Sequence, residues 1–405
     1  MMNKNPHLAI VGAGPAGASA AIRLAQKGFR VTLIEREQFP RPKLCGEFIS
    51  PECFRHFRDL GVFGEMLSAG GARIAETVFF APNGTSVTIP SEWFGSNESG
   101  ALSLSRAEMD SLLLQRAKSL GVEVREETSV IGLSNKTGKI CGVKLRSKNG
   151  ELKEVFADLL VDATGRARVL SKLAEKEFDR RNAEDENLKI QNPKSKIQVR
   201  LVGFKAHLEN ANPRKGACEI YFFRGGYGGL SHVENDLTNF CFLMSAAVVK
   251  ESNFNAGRIV KSIIAQNERA AETLKDAAPV HDWLAVSVDG FGQRNLNPAT
   301  NLFAVGDAGA FIDPFTGSGM LMAFESAEIL AQAIIENSSA EAIAKKYKHE
   351  HARKFQRRLF VCSLMRRAAF APTVAKTLIA ALSIARFPRK LLARATRPRR
   401  VEPSD

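Results

Sequence analysis

Two hydrophobic periods alternate along this chain. His7–Val11 reads HLAIV, an uninterrupted apolar run that predicts a buried strand. A glycine turn follows, then a helix from about Pro15 to Lys27, then a second apolar strand at Phe29–Ile34. Strand, turn, helix and strand in that order predict the start of a parallel α/β layer. Residues 72–90 turn strand-like around an Asn83-Gly84 hairpin signal. The spacing of Met109, Leu112, Leu113 and Ala117 predicts a helix over Arg106–Leu120. Short strands are expected at Val122–Arg125, Ser129–Leu133, Ile140–Leu145 and Leu159–Asp162. Asp179–Lys194 is charged and poor in aromatics, and reads as a surface loop. Strands resume at Lys196–Leu208, Cys218–Phe223 and Asn239–Ala247. Asn301–Val305 enters a turn rich in glycine and proline, a helix follows from about Met320 to Glu336, and the remainder reads as helical and basic. No internal repeat interrupts this order.

Composition narrows the class. With 405 residues, 44% of them hydrophobic, the chain can bury a sizeable core and is expected to form two domains. Six cysteines (Cys45, Cys53, Cys141, Cys218, Cys241, Cys362) are scattered without a CxxC pair. That spacing speaks against a zinc site, an iron–sulfur cluster or a disulfide framework, and fits a reducing, cytoplasmic setting. The N-terminal segment lacks the pattern of a signal peptide, and no apolar stretch reaches the roughly 18 residues of a spanning helix. The net charge of +14 is unevenly placed: seventeen Lys and Arg face one acid, Glu350, between Lys345 and Arg400, leaving 40 basic and 42 acidic residues elsewhere. The question of a polyanionic partner therefore belongs to the tail.

Gly12-Ala13-Gly14-Pro15-Ala16-Gly17 is a GxGxxG run in the context that gives it meaning, an apolar strand before and a helix after. Gly12 permits the tight turn, Gly14 lets backbone approach a pyrophosphate, and Gly17 lets helix and strand pack closely. The helix start offers its N–H groups and positive dipole end to that pyrophosphate. Glu35 closes the next strand, where a carboxylate accepts from a ribose diol and repels a 2′-phosphate, so NADP is disfavoured as the tightly held dinucleotide. The run does not by itself separate FAD from NAD.

Two further segments do. Asn301–Met320, NLFAVGDAGAFIDPFTGSGM, resembles the GD motif of flavoproteins with the p-hydroxybenzoate hydroxylase fold, and Leu160–Arg166, LVDATGR, resembles their DG motif. The resemblance implies one non-covalent FAD. It places Gly306 and Asp307 at the ribityl chain and the turn Pro314, Gly317, Ser318, Gly319 and Met320 at the flavin ring. It also brings Asp162, Gly165, Arg36, the Arg106 that starts the long helix, and the adenine-side Val130 to the cofactor. Phe39–Pro51, FPRPKLCGEFISP, resembles the P-x-x-K-x-C-G segment of the geranylgeranyl-reductase-like branch, and Arg224–Gly229 (RGGYGG) resembles that branch's glycine–tyrosine segment. By that resemblance Cys45 and Gly46 lie beside the flavin, Cys45 as proton donor or as an inert buried thiol, and Tyr227 lines the substrate cavity. Glu47 departs from the branch, which carries a second glycine there.

The expected architecture is an α/β, Rossmann-type FAD-binding domain from 1–71, 101–175 and 295–340. Residues 72–100 and 176–294 supply an inserted, mainly antiparallel substrate domain, and 341–405 a basic helical C-terminal region. No second nucleotide fingerprint is present, so NAD(P)H would act as a transient reductant over the flavin. The leading expectation is reduction of a lipophilic, isoprenoid- or polyketide-like substrate by hydride transfer. The alternatives are a monooxygenase, a non-catalytic escort protein of the same fold, and electron transfer to quinone. Trp93 and Trp283 stand alone, without the WxWxIP motif of flavin halogenases. For the tail two readings stand: a peripheral helix on anionic lipid at the inner face of the membrane, or a cap packed on the body. Nucleic acid is not expected, for no aromatic stacking platform accompanies the charge.

Overall fold

The computed structural model describes residues 6–94, 98, 100–136, 139–184, 200–369, 390, 394 and 397. A five-stranded parallel sheet lies at its centre, in the spatial order Leu302–Ala304, Leu159–Asp162, His7–Val11, Arg30–Ile34, Glu123–Arg125. Leu8 stands opposite both Leu159 and Val31. The inner strands are mostly apolar because both faces are covered, whereas the edge strand Glu123–Arg125 carries an exposed Glu123. On one face Leu8, Ile10 and Leu33 meet the helices Pro15–Ala25, Arg106–Ser119 and Gly319–Glu336 through Ile22, Met109, Leu113 and Phe324. On the other, Ala9, Val11 and Leu160 meet Val143, Leu145 and Val155 of a three-stranded antiparallel sheet, and Leu170 and Ala174 of the helix Val169–Glu184. That helix corrects the loop expected from Asp179, since residues 179–184 continue it; the rest of that segment, and 196–199 of the strand expected at Lys196, lie outside the described residues.

An eight-stranded sheet forms the roof, in the order Ala278–Pro279, Leu201–Glu209, Thr238–Ser245, Gly226–His232, Ala217–Phe223, Glu76–Phe80, Ser86–Pro90, with Leu284–Val288 also on Leu201–Glu209. Ala217–Phe223 and Glu76–Phe80 run parallel, and the remaining pairs are antiparallel. Phe204, Ala206, Tyr221, Phe240 and Phe242 face outward under short helices that add Val249, Ile259 and Ala270. Gly226–His232 has no strand-like side-chain pattern because its neighbours occupy the space: a Cβ on Gly228 would lie 2.8 Å from Phe242 Cβ and 3.1 Å from the Phe240 ring.

The helix Ala340–Ala369 packs along Gly319–Glu336. Phe355 and Cys362 join Ala310, Ile312 and Met322, and the Tyr347 hydroxyl donates to the Ala304 carbonyl at 2.8 Å. Glu325, buried, is held by Arg358 at 2.8 Å and Lys354 at 3.3 Å. This stretch of the basic region is thus a packed cap. The apolar patches Thr377–Ala385 and Leu391–Ala393, and the side chains of Arg366 and Arg367, lie outside the described residues. Among the described residues no helix is long and apolar enough to cross a membrane.

Candidate functional site

The site begins at the glycine turn. Gly12 has φ +100°, and a Cβ there would sit 2.4 Å from the Ala163 carbonyl oxygen; one on Gly17 would sit 1.8 Å from the Gly12 oxygen. Strand, turn and helix therefore close only around glycine. Pro15 starts the helix, where its missing N–H costs nothing, and Ala16 follows it. Above Gly14 the space is open: a Cβ there would first meet Arg106 Nη2 at 3.6 Å and Arg41 Nη2 at 3.9 Å. Two guanidinium groups thus face the bare N-terminus of a helix, a cradle that suits a pyrophosphate. Both are braced. Arg106 donates to Asp110 through Nε at 2.8 Å and Nη2 at 2.7 Å, while Arg41 lies 3.5 Å from Glu35 and 3.7 Å from Asp110. Burial opposes the charge on Arg106, but Asp110 outweighs it and raises the guanidinium pKa. Partial desolvation, then the charges of Arg41 and Arg106, push Lys43 below the usual ammonium range, although the residue as a whole is exposed. Arg41 was not among the residues expected at the cofactor, although it stands in the same FPRPK run as Lys43.

At the ribose end Glu35 is buried and accepts from three backbone N–H groups. Its Oε2 accepts from Ala13 N–H at 2.9 Å, and its Oε1 from Arg36 N–H at 3.0 Å and Glu37 N–H at 3.2 Å. The Arg36 side chain points outward and pairs with Glu37 at 3.1 Å. Val130 is half-buried on the strand Thr128–Lys136, opposite Leu145, two residues past the Thr128 N–H that donates to the Glu35 carbonyl at 2.9 Å.

The flavin-side turn is built by Asp162, Gly306 and Asp313. Asp162 is fully buried and spends both oxygens internally: Oδ1 on Thr164 N–H (3.1 Å) and Oγ1 (2.6 Å), Oδ2 on Ser171 N–H (2.8 Å) and Oγ (2.7 Å). It shapes the turn that carries Gly165 and leaves no lone pair for a cofactor, which corrects the direct contact expected of it. Gly306 N–H donates to Ser326 Oγ at 2.9 Å and presents Asp307 in a single helical turn. Burial raises the Asp307 pKa, against the pull of Arg166, Arg106, Lys43 and Arg294. Asp313 Oδ1 accepts from Phe315 N–H at 2.9 Å, and Pro314–Thr316 passes through a left-handed Gly317 and buried Ser318 into the helix Gly319–Glu336. Met322 N–H donates to the Ser318 carbonyl at 2.9 Å, so the amides of Gly319, Met320 and Leu321 precede the internal ladder and end the helix with positive charge. Arg397, from the tail, donates to the Thr316 carbonyl at 3.0 Å.

The roof faces this turn with alternate residues of its strands. Gly203, Leu243 and Tyr227 form one cross-strand row; Lys205, Cys241 and Gly229 the next; His207, Asn239 and Ser231 the third. The first row is apolar and packs with Phe222, Phe311 and Phe315. Tyr227 is only 5% exposed, and its hydroxyl donates to Asp313 Oδ1 at 2.8 Å. It pins the roof to the flavin-side turn, which corrects its expected place on an open cavity wall. The polar rows lie over Cys45. That residue is half-buried, its Sγ accepts from Glu47 N–H at 3.4 Å and lies beside the Arg106 guanidinium, and its carbonyl accepts from Asn239 Nδ2 at 3.3 Å. Gly46 is exposed, with nothing within 4 Å of where a Cβ would stand.

Glu47 is buried beneath the roof. It bonds the Lys205 ammonium, His207 Nε2 at 2.7 Å and the Arg106 N–H at 2.8 Å. Burial raises its pKa, but the His207 bond and the Lys205 charge together bring it below the usual carboxylate value. Lys205 and His207 escaped sequence reasoning, since nothing in a strand pattern marks which domain a polar position will face.

A family model described as "FAD binding domain" matches residues 6–359. Digeranylgeranylglycerophospholipid reductase 1 of Methanococcoides burtonii is 27% identical over 364 residues, 84% of this chain and 78% of its own. Among solved structures, a geranylgeranyl bacteriochlorophyll reductase-like protein from Thermoplasma acidophilum aligns at a TM-score of 0.74 and 19% identity, covering 96% of this chain and 95% of that one. The flavin-dependent brominase Bmp2 aligns at 0.73 and 18%, covering 96% and 93%. At such identities the structural likenesses speak for the fold alone.

Proposed function

The chain belongs to the FAD binding domain family and is an FAD-dependent oxidoreductase, and from that premise we propose that it falls in the geranylgeranyl-reductase-like branch and reduces a lipophilic, isoprenoid- or polyketide-like substrate with electrons drawn from NADH or NADPH. The observation that carries this reading is the cysteine loop, where half-buried Cys45 and exposed Gly46 lie under the roof beside the Arg106 guanidinium. The name of the Methanococcoides relative, which is that of a reductase of an isoprenoid lipid, supports the same substrate class.

When bound, the reduced flavin supplies a hydride. The chain's own groups do the rest. Arg106, Arg41 and the Gly14 backbone would hold the pyrophosphate, Asp307 would meet the ribityl hydroxyls, and the amides of Gly319, Met320 and Leu321 would favour negative charge on the ring. Addition across a double bond also needs a proton, and the half-buried Cys45 Sγ beside open Gly46 supports assigning that role to the thiol.

The outer face of the basic helix suits the supply of such a substrate. Arg353, Arg357, Phe360 and Leu364 share one exposed stripe, with Phe360 64% and Leu364 49% exposed. Cations and apolar side chains together fit an anionic lipid surface, at about 1 kcal/mol per basic residue. Co-sedimentation with phosphatidylglycerol vesicles but not phosphatidylcholine vesicles is the expected outcome.

The main reading is tested by reducing the flavin with NADH or NADPH, with and without oxygen, over lipid extracts and analysing products. A saturated product formed anaerobically is expected. A product that needs oxygen overturns reduction in favour of hydroxylation.

A further inference from the structure

Glu47 occupies the position where the segment it resembles carries a second glycine, and its backbone keeps the conformation that glycine favours, φ 55°. A side chain tolerates that left-handed geometry only where its surroundings hold it. Here they do. The carboxylate is fully buried, with Oε1 on the Lys205 ammonium and the Arg106 N–H and Oε2 on His207 Nε2. The Glu47 N–H donates to Cys45 Sγ, and its carbonyl accepts from Leu104 N–H at 3.3 Å.

One residue therefore joins three elements: the cysteine loop, the start of the helix that carries Arg106, and the roof strand Leu201–Glu209. Lys205 is 2% exposed and needs the carboxylate, because a buried ammonium without a partner is costly. Of the roof's other groups near the loop, Cys241 stands across the ladder from Lys205, and Asn239 makes the separate bond to the Cys45 carbonyl.

We propose that Glu47 is a positioning residue: clasped by Lys205 and His207, it fixes the Cys45 sulfur and the Arg106 amide against the roof. The clasp stands on the protein's own geometry and uses the reductase reading only for what the sulfur faces.

The test reads the rate of Cys45 alkylation by iodoacetamide, mapped by peptide mass spectrometry on the FAD-loaded protein and on the flavin-stripped protein, together with the FAD dissociation constant. Glu47→Gly relieves the backbone while removing the clasp, and is expected to raise Cys45 alkylation at least tenfold and to weaken FAD binding. Glu47→Gln keeps the shape but strands Lys205, and is expected to act in the same direction. Glu47→Gln with Lys205→Met removes both charges and is expected to return alkylation toward the wild-type rate. Wild-type alkylation and FAD affinity in a folded Glu47→Gly protein, with only the melting temperature lowered, overturn the proposal. If Glu47→Gly does not fold, the two Gln variants decide it: equal alkylation in both overturns it. A failure of the reductase reading appears separately, as absence of product with the clasp results intact.

Discussion

Tyr227→Phe isolates the bond by which the roof braces the flavin-side turn. The hydroxyl donates to Asp313 Oδ1 at 2.8 Å, and the two residues are 5% and 3% exposed. The same oxygen accepts from Phe315 N–H, so the bond supports the turn where it bends toward the helix. Ring packing against Phe315, edge-on with centroids 5.1 Å apart, survives the substitution. A hydrogen bond to a charged group contributes about 1.5–3 kcal/mol net. Burial, then the Asp313 charge, hold the phenol pKa well above its ordinary value, so the proton stays on oxygen and the loss is the same from about pH 6 to 9. Unfolding entropy of about 2.1 cal/mol/K per residue gives about 0.85 kcal/mol/K for a chain of this length. A loss of about 2 kcal/mol then lowers the melting temperature by roughly 2–3 °C for unfolding as one unit. Calorimetry of the FAD-stripped protein measures this, and flavin fluorescence titration is expected to show several-fold weaker FAD binding. A melting temperature within about half a degree of wild type, with unchanged FAD affinity, refutes the brace.

Other outcomes follow from single contacts. Gly14→Ala is expected to fold with unchanged stability, since its Cβ meets nothing nearer than 3.6 Å, yet to lose FAD affinity by at least about tenfold on titration; Gly12→Ala, 2.4 Å from a carbonyl oxygen, is expected to lose both. His351 is buried with Nδ1 unpaired, and burial lowers its pKa to about 4. The unfolded chain takes up this proton near pH 6.5 and the folded one only near 4, so stability falls as pH drops through that window. His351→Phe removes that penalty, and urea midpoints are expected to show about 2 kcal/mol more benefit at pH 5 than at pH 7. Glu325→Gln strands the buried Arg358 and is expected to cost about 3–5 kcal/mol in urea denaturation, while Glu325→Leu with Arg358→Met recovers most of it.

The sequence by itself determined the parallel layer and its phosphate end. Those constraints act over a few residues: strands covered on both faces must be apolar throughout, and a turn that admits no Cβ must be glycine. Hence His7–Val11, Gly12–Gly17 and the entry to Gly319–Glu336 were legible. Patterns weaken where neighbours supply the packing. Gly226–His232 showed no strand signal because the Phe240 and Phe242 rings fill the space over Gly228. Val169–Glu184 reads as polar at its end because, among its described side chains, those that join the apolar core are Leu170 and Ala174, both in its first half. Motifs singled out Asp162 for the cofactor and Tyr227 for the substrate cavity, but not where their oxygens point; Ser171 and Asp313 decide that. Glu47 registered in the sequence only as a missing glycine. Its partners lie 158 and 160 residues further on, at alternate positions of a strand, and period-two alternation is blind to which face meets another domain. Only the placement of the roof over the cysteine loop turned that departure into a buried ionic clasp.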